Sequence, residues 1–138
     1  NIKFMRRYYS VSAKKFIDKD GQEVIKYYPN AVYAGHFSSE DMAKDISQST
    51  SLSEPDVLSA LKAFSIVLET RLKLGYNIKL DGIGTFSLSV TGEPCDSEKE
   101  CKPNKVKVGK ITFRADSKLR KGMIGIKFYK ANLKRNKR

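Results

Sequence analysis

Eight cations fall within 20 residues near the C-terminal end of the chain: Lys102, Lys105, Lys107, Lys110, Arg114, Lys118, Arg120 and Lys121. A single acid, Asp116, lies among them. Cations packed this densely suit a polyanion. Phosphates opposed to lysine and arginine release their condensed counterions, so such binding weakens steeply with salt. Contacts of this kind position a partner without reading its sequence. Arg6, Arg7 and the basic tail could extend the same footprint. Other chemistries have little material. The one histidine, His36, cannot build a Ser–His–Asp set, and no carboxylate pair has a spacing that argues acid–base work. Cys95 and Cys101 flank five polar residues, and with one histidine they do not make a zinc site. A disulfide could close that short loop, but two reduced thiols in an intracellular protein are the expected state. The sequence therefore predicts no catalytic residue, no metal and no cofactor.

Charge is distributed unevenly along the 138 residues. The formal net charge is +12, from 27 Lys and Arg against 15 Asp and Glu. Residues 1–37 carry +4, residues 38–92 carry −2 and residues 93–138 carry +10. A near-neutral middle joined to a basic last third favours nucleic acid first and an anionic membrane second. No run of about 18 apolar residues occurs, so no transmembrane helix is expected. No charged-then-apolar leader is visible, so no secretory signal is expected either.

The elements that must carry these cations can be placed by pattern. Arg7–Ser12 and Val24–Tyr28 read as strands, joined by the turn signal Asp18-Lys19-Asp20-Gly21. Pro29-Asn30 should break the second strand, with a resumption at Ala31–Tyr33. Ser38 with Asp41 makes a capping box for a first helix. Met42, Ile46 and Ala43 form its apolar stripe, and the polar run Ser47–Ser51 ends it. Ser53, Pro55 and Asp56 start a second helix. Val57, Leu61, Phe64, Leu68 and Leu72 follow at helical spacing, widened by Leu58, Ile66 and Val67. An arc this wide needs more cover than one short helix gives. A dimer partner is favoured over packing within one copy. Gly75 sits where a helix cap belongs. Two glycines, Gly82 and Gly84, then alternate with apolar residues as the chain enters a strand, where Phe86, Leu88 and Val90 alternate with Ser and Thr. Gly92–Asn104 is a polar loop. Val106, Val108, Ile111 and Phe113 make the returning strand, and alternation projects Lys105 and Lys107 from one face. Asp116–Lys121 reads as a short helix stopped near Gly122, and Ile124–Tyr129 as a last strand. The tail Lys134–Arg138 is expected to fray. A helix–turn–helix does not fit well, because residues 53–74 are dominated by apolar positions that suit packing rather than a major groove.

The order helix, helix, Leu80-Asp81-Gly82-Ile83-Gly84-Thr85-Phe86, hairpin, Phe113-Arg114-Ala115-Asp116, short helix resembles the bacterial histone-like HU/IHF family over about residues 38–122. Ile83 stands where the family's Gly-Phe-Gly-x-Phe segment has its first Phe. Ala115 and Asp116 replace the family's Pro-Gly. The segments before and after exceed the ordinary plan, like a longer HU-related subgroup with an N-terminal β extension. The resemblance implies an α+β fold, with two helices under a β saddle, and an intertwined homodimer. Two hairpin arms would reach around the minor groove, each tip proline wedging between base pairs. The division expected is a hairpin extension (1–37), an HU/IHF-like DNA-binding domain (38–123), and a C-terminal strand with basic tail (124–138).

The arm tip departs from that family. Its Arg-Asn-Pro motif is replaced by Glu93-Pro94-Cys95-Asp96-Ser97-Glu98-Lys99-Glu100-Cys101-Lys102-Pro103, with four acids and two lysines. Acids repel phosphate, so Pro94 and Pro103 are better read as turn-formers than as wedges. The DNA-binding residues expected are Lys102, Lys105, Lys107, Lys110, Arg114, Lys118, Arg120 and Lys121. The dimer core expected is Val57, Leu61, Phe64, Leu68 and Phe86. The function expected is a non-enzymatic, largely sequence-independent, nucleoid-associated protein in the cytoplasm. Its partners would be double-stranded DNA and a second copy of itself, with no membrane and no small-molecule substrate. An interaction or assembly module on the same scaffold is the alternative, motivated by the acidic tip and the added hairpin.

Overall fold

A computed structural model describes residues 6–132 as two compact units. One holds the chain up to His36 together with the chain from Ile124 onward, and the other is Phe37–Met123. Together the described residues form a mixed α+β structure of three helices and two small sheets.

The first unit is a three-stranded sheet. Strands β1 (Arg6–Ile17) and β2 (Glu23–Val32) form a long antiparallel hairpin. Its turn is built as its composition suggests. The Asp18 carboxylate accepts from the backbone N–H groups of Asp20 and Gln22, each at 2.9 Å, and Gly21 takes φ +78°. Pro29 does not break β2. It pairs opposite Val11, and β2 is an edge strand, where a missing N–H need not deprive a neighbour of a bond. The last strand begins at Lys127 rather than Ile124. It runs to Lys130 (β6) and pairs parallel to β1, Tyr8 opposite Tyr129. The extension and the C-terminal segment thus share one sheet, in the order β2-β1-β6. The tail Lys134–Arg138 lies outside the described residues.

The second unit opens with α1 (Ser39–Ser49) and α2 (Glu54–Lys73), each with a complete capping box, Ser38 with Asp41 and Ser53 with Asp56. Hydrogen bonds from the Ser38 backbone N–H and hydroxyl hold the Asp41 carboxyl below its ordinary range. This cap therefore stabilises α1 above that range, and the contribution is lost as pH falls through the lowered value. Ala43, not Met42, is the buried residue of α1; Met42 is exposed. Helix α2 ends on a Schellman motif. Tyr76 N–H donates to Arg71 O and Gly75 N–H to Leu72 O, with Gly75 at φ +89°. Strands β3 (Ile78–Leu80), β4 (Gly84–Thr91) and β5 (Lys107–Ala115) follow as an antiparallel meander. A six-residue helix α3 (Ser117–Gly122) closes the unit, capped by Asp116.

The buried apolar residues among those described are Ala43, Val57 and Leu72. Val57 is thus already covered within its own chain and needs no partner for its burial. Leu61, Leu68 and Phe86 are half-buried, while Phe64, Ile66 and Val67 are exposed. Pairing places Phe86, Leu88 and Val90 with Phe113, Ile111 and Val108 on one sheet face. Leu68 and Leu72 of α2 line a groove of about 740 Å³ with Phe86, Leu88, Val108 and Ile111. Val108 and Ile111 remain 73% and 66% exposed, so one copy does not cover this apolar face.

Candidate nucleic-acid interface

The other face of the β3-β4-β5 sheet is assembled by register. Lys79 lies opposite Thr85, Thr85 opposite Arg114, Ser87 opposite Thr112, and Thr91 opposite Lys107. Simple alternation would put Lys107 with Ile111 and Phe113, on the apolar face. A bulge between the Leu88–Ile111 and Val90–Val108 pairs prevents that. Gly109 and Lys110 there face the single residue Ser89. The Ser89 hydroxyl accepts from Lys110 N–H at 2.8 Å and lies 3.2 Å from the Lys110 carbonyl, which receives its proton. Gly109 has no room for a side chain, since a Cβ would sit 2.5 Å from Ser89 Oγ. The extra residue resets the parity, so Lys107, Lys110 and Arg114 share one face with Lys79.

That face carries four cations and the hydroxyls of Thr85, Ser87, Ser89, Thr91 and Thr112, and no carboxylate. Its cations are unpaired: the ion pairs among the described residues are Lys15–Glu23 at 3.9 Å and Lys73–Glu69 at 2.7 Å, both elsewhere. Lysines, an arginine and hydroxyls on a sheet present donors with no competing acceptor of negative charge. Such a surface suits a row of phosphates. Sequence alone does not single out Lys79, because it stands isolated between Ile78 and Leu80. Its signal is the strand register opposite Thr85.

The remaining expected cations sit on other elements. Lys105 is not in the strand. It ends a 3-10 turn, Pro103–Lys105, whose Lys105 N–H donates to Lys102 O at 2.9 Å. The expected alternation of Lys105 with Lys107 is therefore not formed. The proline fixes the tight turn before β5 can begin. Lys102 is the residue preceding that turn. Lys118, Arg120 and Lys121 lie on α3, with Arg120 and Lys121 in its last turn, where they also complement the helix dipole.

The loop joining β4 to β5 holds the acids. A second 3-10 turn, Glu98–Glu100, lies within it. Pro94 lines a cleft of about 550 Å³ with Glu93, Lys105 and Lys107 at the loop's base, and Pro103 opens its 3-10 turn; both prolines are exposed. Cys95 and Cys101 are free thiols, half-buried and exposed respectively. Burial, and then the neighbouring Cys101 thiol, push the Cys95 thiol up. Less thiolate means slower alkylation. At pH 8 Cys95 should react with iodoacetamide more slowly than cysteine in an unstructured peptide, and Cys101→Ser should speed it. Mass-spectrometric alkylation kinetics measure both. Peptide-like rates in the unaltered protein would contradict the arrangement.

Known proteins bear on this geometry in two ways. The chain is similar in fold to the crystal structure of a candidate bacterial DNA-binding protein from Bacteroides vulgatus, with a TM-score of 0.58 at 6% identity. The match covers 91% of this chain and 48% of that one, so the chain spans about half the length of that protein. At this identity the likeness concerns fold alone. No curated protein sequence matches the chain. The family model described as an HU domain fused to wHTH, Ig or glycine-rich motif matches residues 5–130. With nearly its whole length matched, the chain belongs to this HU-HIG family of HU-domain proteins.

Proposed function

We propose that this chain is a non-enzymatic, architectural DNA-binding protein that holds duplex DNA largely without regard to sequence. The carrying observation is the carboxylate-free sheet face with Lys79, Lys107, Lys110 and Arg114 in register. Lys102, Lys105, Lys118, Arg120 and Lys121 supply further phosphate contacts on this reading. Membership in an HU-domain family and the DNA-binding description of the Bacteroides protein support it. The setting proposed is the bacterial nucleoid, where such proteins condense DNA. No helix among the described residues is long and apolar enough to cross a membrane.

Dimerisation belongs to the same proposal. The uncovered groove between α2 and the sheet, with Leu68, Phe86, Val108 and Ile111 along it, favours a second copy as its cover. Phe64, at 37% exposure, would be covered with it, whereas Val57 contributes from inside each subunit. The acids at 93, 96, 98 and 100 disfavour insertion of Pro94 or Pro103 between base pairs, so any bending would come from wrapping rather than from a tip wedge.

A salt-series titration on linear and pre-bent duplexes tests the whole reading. Low-salt binding that falls linearly on a log–log plot, with little change between unrelated sequences, is expected. Sedimentation should give about twice the 15.6 kDa chain mass. No binding at low salt would end the DNA assignment and favour a protein-assembly role, for which the acidic loop is the specific observation. A monomer would end the dimer assignment.

A further inference from the structure

The sheet of the first unit has two unlike faces. Register places Tyr8, Ser10, Ser12, Lys14, Phe16, Lys26, Tyr28 and Asn30 on one of them, joined by Arg6, Lys127 and Tyr129. The reverse face has the larger apolar share, with Val11, Ala13, Ile25, Pro29 and Phe128, and its cations are Arg7, Lys15 and Lys130. The first face thus combines four aromatic rings with four cations, Arg6, Lys14, Lys26 and Lys127. It carries no carboxylate. The unit's described acids, Asp18, Asp20 and Glu23, gather at the hairpin turn, and Glu23 pairs with Lys15 on the reverse face.

The rings are arranged in two exposed pairs. Tyr8 and Tyr129 have centroids 6.3 Å apart, and Phe16 and Tyr28 have centroids 6.0 Å apart. Each pair has a cation over one ring: Arg6 at 5.2 Å from the Tyr129 centroid, Lys14 at 5.7 Å from that of Tyr28. The four rings are between 37% and 44% exposed, so part of each is accessible to a ligand. Tyr8 and Phe16 are eight residues apart on β1, roughly 26 Å along the strand. Between the pairs, the Asn30 amide donates to Ser12 Oγ at 2.8 Å, leaving polar groups in the middle of the platform.

We infer that this face binds single-stranded DNA, with bases stacked on the Tyr8–Tyr129 and Phe16–Tyr28 pairs and phosphates held by Arg6, Lys14, Lys26 and Lys127. Charge complementarity selects a polyanion over a neutral or basic protein. The rings select unpaired bases, because a duplex hides its base faces within the stack. A span of roughly 26 Å suits a site several nucleotides long. The choice of DNA over RNA rests on the duplex reading of the other unit; the stacking itself does not.

The chain offers its own probe. It has no tryptophan, and six of its seven tyrosines (8, 9, 27, 28, 33 and 129) lie in the first unit. Stacking on Tyr8, Tyr28 and Tyr129, three of the seven tyrosines, should therefore quench a readable part of the intrinsic tyrosine emission. The experiment titrates the full chain with a labelled 20-nucleotide single strand, its duplex, and the RNA of the same sequence, reading anisotropy and tyrosine emission. Quenching is expected with the single strand. Tyr28→Leu with Tyr129→Leu, which keep apolar bulk, should weaken single-strand binding by roughly 10-fold or more and leave duplex affinity within about 2-fold. Lys107→Gln, Lys110→Gln and Arg114→Gln together should do the reverse, so failure of the duplex reading and failure of this one are separable. Circular dichroism and melting establish that the Leu variants remain folded; if they do not, the same contrast is read from Lys14→Gln with Lys26→Gln. Unchanged single-strand affinity in folded variants, equal losses for duplex and single strand, or no quenching would overturn the proposal. Tighter binding of the RNA, or of vesicles containing phosphatidylserine, would overturn the choice of ligand.

Discussion

Replacing Lys107, Lys110 and Arg114 together by glutamine lowers duplex affinity by roughly 10²–10³-fold at 0.1 M salt and flattens the salt dependence by about three units of log–log slope for each subunit whose sheet face contacts the duplex. The three residues share a sheet face with no carboxylate and no ion-pair partner among the described residues, so their charge is available to phosphate. Each cation removed leaves one counterion unreleased, which is why slope and affinity must change together. Adding Lys79→Gln should extend both effects by one further step, because Lys79 stands opposite Thr85, which itself stands opposite Arg114. The comparison variant is Lys118→Gln, Arg120→Gln and Lys121→Gln on α3. It removes the same formal charge from another element. If the α3 triple lowers affinity by as much, the sheet face has no precedence over the further contacts proposed on α3. If the first triple leaves the slope unchanged, these side chains do not face phosphate.

The elements that carry these residues are mostly legible in the sequence, and the reason is that their determinants are local. Ser38 with Asp41, Ser53 with Asp56, Gly75 and Asp116 each fix a helix end through bonds to residues within five positions. The Asp18–Gly21 turn is equally local. Non-local pairings are less accessible. Nothing in Lys127–Lys130 announces that it will lie parallel to Arg6–Tyr9, since that choice depends on two segments more than a hundred residues apart. The intrinsic habit of Pro29 is that of a strand breaker, yet an edge position removes the reason for the habit. The bulge is intermediate. Apolar parity changes between Val108 and Ile111, and a glycine stands between them, but only the Ser89 pairing turns that irregularity into a statement about where Lys107 points. The basic face is therefore a product of register. Composition supplies its charges, and the bulge together with Gly109 sorts them onto one side.

Gly84→Ala should destabilise the second unit by about 3 kcal/mol and lower its melting temperature by on the order of 10 °C. Gly84 is buried and pairs with Ala115 where β4 begins. A Cβ there would run into the Arg114 carbonyl oxygen and lie 2.7 Å from two atoms of the Phe113 ring. The carbonyl is backbone and cannot rotate aside, so β5 must move. That movement disturbs the Phe86–Phe113 ring pair, 4.9 Å between centroids, and the 2.9 Å bond from Asp116 N–H to Ile83 O that anchors the start of α3. Gly82 supplies the contrast. It has φ +77°, but a Cβ at that position would meet no atom within 4 Å. Gly82→Ala therefore incurs only the left-handed backbone penalty, about 1 kcal/mol. Two glycines two residues apart in one short motif are thus required for different reasons, one for a turn and one for a close approach of strands. Urea denaturation of both variants should rank Gly84→Ala as the more damaging. It should also show reduced duplex binding for Gly84→Ala even where the protein is folded, because displacement of β5 carries Arg114 out of register with Lys79. The opposite ranking would mean that β4 and β5 do not meet as closely at Gly84 as the pairing with Ala115 requires.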